Sequence, residues 1–300
     1  MAVVVGKIQT LKKLRESLDE KEIHRFNSIG DINSFLKNFE HEKRSIPKNE
    51  KGKLDKELQA LEKSIELAKE KSLLNALYKI YYGIKIRWYS YRKTSLKNNY
   101  DNILSKRCKK STQELAYIKK TVEGLYTLIS GAVGENAVIN ELKKLPNSFY
   151  IVNDFSLTFS PPIYNRKKDD RITSIQIDHL LICQSGIFII ETKNWSSESI
   201  QNLDLRSPIE QINRNSYALF VTINSESNLN LVEHHWGSKK VPIRNIIVMT
   251  NSAPREEFKY VKVLHLDNLN SYVKYFDPIF SDSEVENIFH HLNSRLNQNT

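Results

Sequence analysis

The chain has 300 residues, of which 40% are hydrophobic, and a formal net charge of +10. This length allows one or two domains with a sizeable core. Its only cysteines, Cys108 and Cys183, exclude a disulfide framework and a Cys-based zinc site, which favours a reducing cytoplasm. The apolar start of the chain is too short for a signal peptide. Three basic residues interrupt the apolar stretch at 73–91 and argue against a membrane span.

Charge is divided unevenly along the chain. Residues 1–130 hold 28 Lys and Arg against 16 Asp and Glu, whereas residues 131–300 hold 17 against 19. A basic half of this kind is typical of a region that meets a polyanion such as DNA. A solvated basic surface without a partner is an equally good explanation.

The first 130 residues have the apolar spacing of helices. Asp31 is expected to cap the second helix, and Pro47 to end it. The helix after Pro47 steps by four and three residues, as a coiled-coil seam does, so a hairpin within the chain and a dimer both remain open. The residues of this seam are Leu54, Leu58, Leu61, Ile65 and Ala68.

Aromatic and basic side chains are interleaved in the next helix. Such a mixture can bind nucleic acid by stacking and phosphate contact. More often, the aromatic residues are core residues beside lysines whose stems pack on them. The helices of this half are therefore expected to bind DNA, to dock a protein partner or to self-associate. The interleaved residues are Tyr78, Tyr81, Tyr82, Trp88, Tyr89 and Tyr91 with Lys79, Lys85, Arg87, Arg92, Lys93 and Lys97.

Composition changes at residues 131–134, Gly-Ala-Val-Gly, which predicts a boundary between a helical extension (1–130) and a second domain (131–300). No Walker motif occurs, so the chain is not expected to use ATP. The later elements follow the order helix, strand, strand, strand, helix, strand. They are a helix at 134–145, a strand at 149–157, a loop at 160–173, a hairpin at 174–194, irregular chain at 196–206, a helix at 208–224, a loop at 225–240, strands at 243–250 and 261–266, and terminal helices capped by Asp267 and Asp282.

The hairpin carries the candidate chemistry. Two apolar runs meet at residues 184–186, Gln-Ser-Gly, which is typical of a turn. Glu191 and Lys193 point the same way on a strand, and the turn brings Asp178 towards them. Two carboxylates at the end of a half-buried sheet are costly without compensation, so Asp178 and Glu191 could hold Mg²⁺ or Mn²⁺ together with the Thr192 carbonyl. A salt bridge among the charged groups is an equally open interpretation.

An acid-x-Lys tripeptide alone is not specific, and only the strand context distinguishes residues 191–193. His179 is expected to point away from the acids and to pack inside. The histidine pairs at 234–235 and 290–291 are interpreted as surface or packing residues. The other tripeptides are Asp19/Lys21, Glu141/Lys143 and Glu257/Lys259.

Four short motifs follow one another along the second half of the chain. They are Gly134-Glu135, Gln176-Ile-Asp178-His179, the run at 186–195 and Pro208-Ile-Glu-Gln211. Together they resemble the nuclease-related (NERD) domain of the PD-(D/E)xK nuclease superfamily over roughly residues 131–251. The resemblance implies an α/β, restriction-endonuclease-like αβββαβ core with a mixed central sheet flanked by helices. The element order above agrees with this core.

The resemblance also implies a Mg²⁺-dependent nuclease that hydrolyses DNA phosphodiester bonds. In such an enzyme Asp178 and Glu191 hold the metal, Glu135 is an accessory acid, Lys193 is the catalytic lysine and Gln211 orients water or substrate. DNA is the expected partner, with no membrane and no ATP, and a role in defence or DNA processing fits this type of enzyme. The alternative is a non-catalytic scaffold that binds nucleic acid or protein through a nuclease-like domain.

Overall fold

A computed structural model describes residues 1–73, 76–195, 206–224, 240–252 and 257–296. The chain divides into two compact units. One, the sheet unit, comprises Met1–Glu20 and Tyr126–Thr300, and the other, the helical unit, comprises Lys21–Leu125.

The predicted boundary at residue 131 therefore does not coincide with the division in the structure. Residue 131 lies inside helix α5, Tyr126–Leu142, and the first 20 residues belong to the sheet unit. The reason is that the first strand, β1 (Val3–Val5), pairs in parallel with Tyr150, Ile151 and Val152.

The sheet unit is built on one mixed sheet of six strands in the order β1 to β6. Strands β2, β3 and β4 pair antiparallel, whereas β1 on β2, β5 on β4 and β6 on β5 are parallel. The other strands are β2 (Tyr150–Asn165), β3 (Asp170–Cys183), β4 (Gly186–Lys193), β5 (Ile243–Met249) and β6 (Val261–His265). The helices of this unit are α1 (Gln9–Glu20), α5, α6 (Arg206–Asn224), α7 (Leu269–Lys274) and α8 (Asp282–Leu296).

Helices cover both faces of this sheet. On one face, Ile212 of α6 and Ile288 of α8 share a buried cluster with Ile189. On the other, Val138 of α5 and Leu269 of α7 are buried in a second cluster, which also contains strand residues. This arrangement confirms the predicted α/β class and is consistent with a nuclease-like fold.

The β3–β4 hairpin forms as predicted, with Cys183 opposite Gly186 across the turn. Gly186 has φ 119°, and a Cβ there would lie 2.6 Å from the Pro242 carbonyl oxygen. Only glycine fits this turn without strain.

The predicted loop at 160–173 is wrong. The β2–β3 pairing continues to Asn165 and Asp170, so only residues 166–169 form the turn. The register shifts between Thr158 and Ile163, and this irregularity accommodates the two prolines, which cannot donate to a regular ladder.

Two predicted helix caps are also wrong. Asn268, not Asp267, precedes α7. At α8 the Ser281 hydroxyl accepts the Glu284 N–H, and the Glu284 carboxylate accepts the Ser281 N–H at 2.8 Å, so Asp282 is the first helical residue. The predicted segments at 196–205 and 225–239, including His234 and His235, lie outside the described residues.

The helical unit contains α2 (Ile29–Ser72), α3 (Ala76–Asn98) and α4 (Tyr100–Gly124). Helix α2 runs antiparallel to the other two, as the Glu62–Lys93 and Glu57–Arg107 ion pairs show. The predicted seam therefore packs within the chain, as a helical hairpin does. Association into a dimer stays a prediction.

Helix α2 departs from the sequence prediction at two points. Its N-cap is Ser28, and Asp31 completes the capping box by accepting the Ser28 N–H at 2.9 Å. Pro47 lies inside α2 and does not end it. An internal proline costs about 3 kcal/mol, and burial of Phe39 and Ile46 beside it offsets this cost. Among the described residues, no helix is long and apolar enough to cross a membrane.

Candidate active site

The hairpin brings three of the predicted site residues together. The β3–β4 register pairs His179 with Ile190 and therefore brings Asp178 level with Glu191. The Thr192 N–H donates to Oδ2 of Asp178 at 2.9 Å, and Nζ of Lys193 donates to Oε1 of Glu191 at 2.8 Å. Glu191 is buried, whereas Asp178 and Lys193 are half-buried. The strand end thus holds two carboxylates and one ammonium within a small, largely dry space.

Gly134 explains why a glycine precedes Glu135. A Cβ at Gly134 would lie 3.1 Å from side-chain carbons of both Thr192 and Asn194. Helix α5 therefore lies against the end of β4, and Nδ2 of Asn194 fixes it by donating to the Ser130 carbonyl at 2.9 Å. This close approach places the Glu135 carboxyl beside the acids of the hairpin.

The electrostatics of Glu135 reflect this crowding. Burial raises the pKa of Glu135 to about 7, and the Asp154 and Glu191 carboxylates raise this pKa further. The Thr10 hydroxyl and the Lys193 ammonium oppose the shift, although the hydroxyl approaches too loosely for a hydrogen bond of good geometry. The environment of Glu135 thus disfavours another negative charge.

Asp178 experiences the same environment. Burial raises the pKa of Asp178, and the neighbouring Glu191 carboxylate raises it further. The Thr192 N–H and the Lys193 ammonium favour the charged form and counteract part of the shift. A bound cation would compensate these carboxylates, which is a property of metal sites.

Asp154 is a site residue that the sequence analysis missed. It lies in β2 with φ 50°, a left-handed conformation that is uncommon for a residue with a side chain. Nε2 of Gln176 donates to its carboxylate at 2.8 Å. Burial raises the pKa of Asp154, while Lys13 and Lys12 oppose the shift. The polar pair Asn153-Asp154 interrupts an otherwise apolar strand, and this signal could have revealed it.

The beginning of the chain borders the same site, which the sequence analysis also missed. Gly6 has φ 81°, and a Cβ there would lie 2.4 Å from the Asn153 carbonyl oxygen. The chain therefore passes tightly over β2 before α1 begins. From α1, Gln9 accepts a hydrogen bond from Gln176, and Lys12 and Lys13 act on Asp154.

His179 has a structural role. Its side chain is fully buried, and Nδ1 lies 2.9 Å from Oδ1 of Asn153. Burial lowers the pKa of His179 to about 3, so its imidazole is neutral at physiological pH. It joins β3 to β2 behind the acids, in line with the prediction that it points inward.

Gln211 is not brought into contact with the acids. It is exposed in α6, and no hydrogen bond joins it to Asp178 or Glu191 among the described residues. One turn later, the buried Asn215 donates to the Gln176 carbonyl at 2.6 Å and anchors α6 to β3. Asn215 was not predicted, because a lone asparagine in a helix gives no sequence signal.

The donor set fits a magnesium-type ion in part. Among the residues that the structure describes, no group of three or more His, Cys, Asp and Glu side chains is arranged to hold a metal. Mg²⁺ does not require such a group, because it usually binds one or two carboxylates and fills its other positions with water and phosphate oxygens. Asp178, Glu191 and the Thr192 carbonyl are hard oxygen donors of this type. The raised pKa values of Asp178 and Glu135 agree with a site made for a cation.

Comparisons with known proteins assign this region to a family. Residues 130–250 match the model of the nuclease-related domain, NERD. An uncharacterized protein of Bacillus anthracis is 35% identical over 66 residues, which are 22% of this chain and 26% of that protein. The match thus spans about a quarter of the relative's length. No solved structure matches the chain. The resemblance seen in the four motifs is confirmed: over residues 130–250 the chain carries a nuclease-related (NERD) domain.

Proposed function

We propose that the sheet unit hydrolyses DNA phosphodiester bonds with Mg²⁺ or Mn²⁺. The observation that carries this proposal is the cluster of Asp178, Glu191 and Lys193 at the end of β4 within a nuclease-related domain. Buried carboxylates with raised pKa values occur most often at functional sites. A stable hairpin alone does not require so costly a group of charges.

Each residue of the cluster has a distinct role in this proposal. Asp178, Glu191 and the Thr192 carbonyl hold the cation, and Glu135 adds an accessory carboxylate beside them. A cation bound there supplies Lewis-acid stabilisation of phosphate charge and lowers the pKa of a bound water. Lys193 donates from Nζ, now 2.8 Å from Glu191, to a phosphate oxygen on which charge develops.

The surroundings of the cluster bind the nucleic acid. Gln211, exposed on α6, would orient substrate or water. Lys12 and Lys13 of α1 act on the neighbouring Asp154 and can also attract phosphate. The basic helical unit contributes sequence-independent contacts to the DNA backbone, which weaken as salt rises. A cytoplasmic location and a role in defence or DNA processing belong to the same proposal.

Plasmid cleavage by the full-length chain tests the proposal. Asp178→Asn and Lys193→Ala should each lower Mg²⁺-dependent nicking by about a hundredfold or more, the usual size for a group that stabilises the transition state. Glu257→Gln and Lys259→Ala are matched controls, since both are exposed members of another acid-x-Lys tripeptide, and they should cleave as the wild type does. Equal trace activity in all five proteins would refute the enzyme.

A non-catalytic scaffold is the second candidate. One observation favours it, because the Lys193–Glu191 ion pair is also what a purely structural strand end would contain. Calorimetry with Mn²⁺ separates the two proposals. A nuclease should show a metal site that Asp178→Asn removes, whereas a scaffold should bind DNA equally well in EDTA and give no metal-binding heat.

A further inference from the structure

Helix α3 exposes an unusual amount of apolar surface. Within its described span, Ala76–Asn98, no side chain is buried. Six large side chains between 52% and 81% exposed lie along one face and form what we call the α3 stripe. Its members are Leu77, Ile80, Tyr81, Ile84, Trp88 and Tyr91.

The stripe is not the side of α3 that packs on α2. The half-buried residues Ile86, Tyr89 and Leu96 lie on the opposite side of the helix at 100° per residue. Along the stripe, the residues from Leu77 to Tyr91 are separated by three, four, four and three positions. This is the spacing at which a second helix can pack against the first.

The area of the stripe is large enough for a specific interface. Six such side chains expose on the order of 800 Å², about the area that one partner contributes to a standard protein interface. A contiguous apolar patch on a monomeric protein usually covers about 300–600 Å². The stripe therefore exceeds what an unpartnered surface normally displays.

The composition of the stripe narrows the kind of partner. Three of its residues, Leu77, Ile80 and Ile84, are aliphatic and cannot stack on nucleobases, so nucleic acid would leave half of the stripe unused. A lipid surface would accept the aliphatic residues but requires no helical spacing. The regular spacing therefore favours a helix from a protein.

The charges beside the stripe indicate the sign of that helix. Helix α3 contains six Lys and Arg residues and no Asp or Glu. Lys85 lies 4.6 Å from the Tyr81 ring centroid, and the Arg92 guanidinium lies 5.3 Å from that of Trp88. Cations thus border the apolar face directly. Two α3 helices would bring like charges together, which disfavours pairing with the α3 of a second copy.

We propose that the α3 stripe docks an acidic amphipathic helix of a partner protein. Apolar residues of that helix would cover the stripe, and its Glu or Asp residues would meet Lys85, Arg87 and Arg92. The helical unit would then recruit the nuclease-related domain to a partner or receive a regulator of it.

A designed helical peptide tests this docking on the full-length chain. The peptide has apolar residues at the a and d heptad positions and Glu at e and g, and a second version has Lys in place of Glu. The Glu peptide should bind, should shift Trp88 emission to shorter wavelength and should lose this signal in Trp88→Phe. The Lys peptide should not bind.

Variants locate the binding on the stripe. Ile80→Ser/Ile84→Ser should weaken the Glu peptide by about tenfold or more, as the loss of two central apolar contacts does. Both residues are exposed, so the fold should persist by circular dichroism. Tyr117→Ser on α4, half exposed, is the matched control and should bind normally.

Four results would overturn the proposal. The Glu peptide could fail to bind, or it could bind the double variant as well as the wild type, which would indicate charge alone. Phosphatidylserine-containing vesicles could shift Trp88 emission where the peptide does not, which would indicate a membrane surface. The wild type could sediment as a dimer and the double variant as a monomer, which would indicate a second copy of the chain.

Discussion

Replacing Glu135 with glutamine should stabilise the metal-free protein, and the gain should grow with pH. The pKa of Glu135 is about 7 in the folded chain, against an ordinary value of 4.5. Below pH 4.5 the carboxyl is protonated in both the folded and the unfolded state and contributes nothing to the difference. Between pH 4.5 and 7 the unfolded chain loses the proton while the folded chain retains it, so the wild type loses stability as pH rises.

The size of this effect follows from the two pKa values of 4.5 and about 7. Linkage gives a destabilisation of about 1 kcal/mol at pH 5 and about 3 kcal/mol at pH 7.5. Glutamine cannot ionise, and its buried amide adds a cost that does not depend on pH. The free energy of unfolding of Glu135→Gln minus that of the wild type should therefore rise by about 2 kcal/mol between these two pH values.

Urea denaturation in EDTA at pH 5 and pH 7.5 measures this difference. Glu16→Gln, on an exposed part of α1, is the matched control and should change the stability little at either pH. The same Glu135→Gln protein should lose metal-dependent cleavage if Glu135 is an accessory acid. A stability difference that is equal at both pH values, or larger at pH 5, would refute the placement of Glu135 among buried carboxylates.

Further predictions concern the fold around the site. Gly6→Ala should lower the free energy of unfolding by about 2–4 kcal/mol, because it combines a left-handed φ of 81° with a 2.4 Å approach to backbone. Gly52→Ala, in open space within α2, should instead stabilise by about 0.5–1 kcal/mol, and equal effects of the two in urea denaturation would contradict the account. His179, with a folded pKa of about 3 against 6.5, should give stability that is complete above pH 6.5 and falls by about 2 kcal/mol at pH 5. His179→Gln should remove this pH component, and an unchanged pH profile in urea denaturation would argue against burial of the imidazole.

The hairpin could be predicted from the sequence because its information is local. Alternating apolar residues and one glycine turn fix the strands of residues 174–194, and the register then brings Asp178 level with Glu191. The two acids and Lys193 lie within about twenty residues, so strand periodicity suffices to bring them together. The roles of these residues remain predictions until activity is measured.

Long-range contacts account for most of what the sequence did not reveal. β1 pairs with β2, which lies about 150 residues later in the chain, and no local pattern predicts such a pairing. The same holds for the contacts of α1 around Asp154, whose left-handed backbone depends on its surroundings. Pro47 is a related case, because tertiary packing retains a helix that local preference would end.

Cleavage of supercoiled plasmid by the full-length chain across a Mg²⁺ titration tests the central claim most directly. The account predicts nicking that rises with Mg²⁺, disappears in EDTA and is abolished by Asp178→Asn. Cleavage by the wild type that is independent of Mg²⁺, or that never exceeds that of Asp178→Asn, would contradict it.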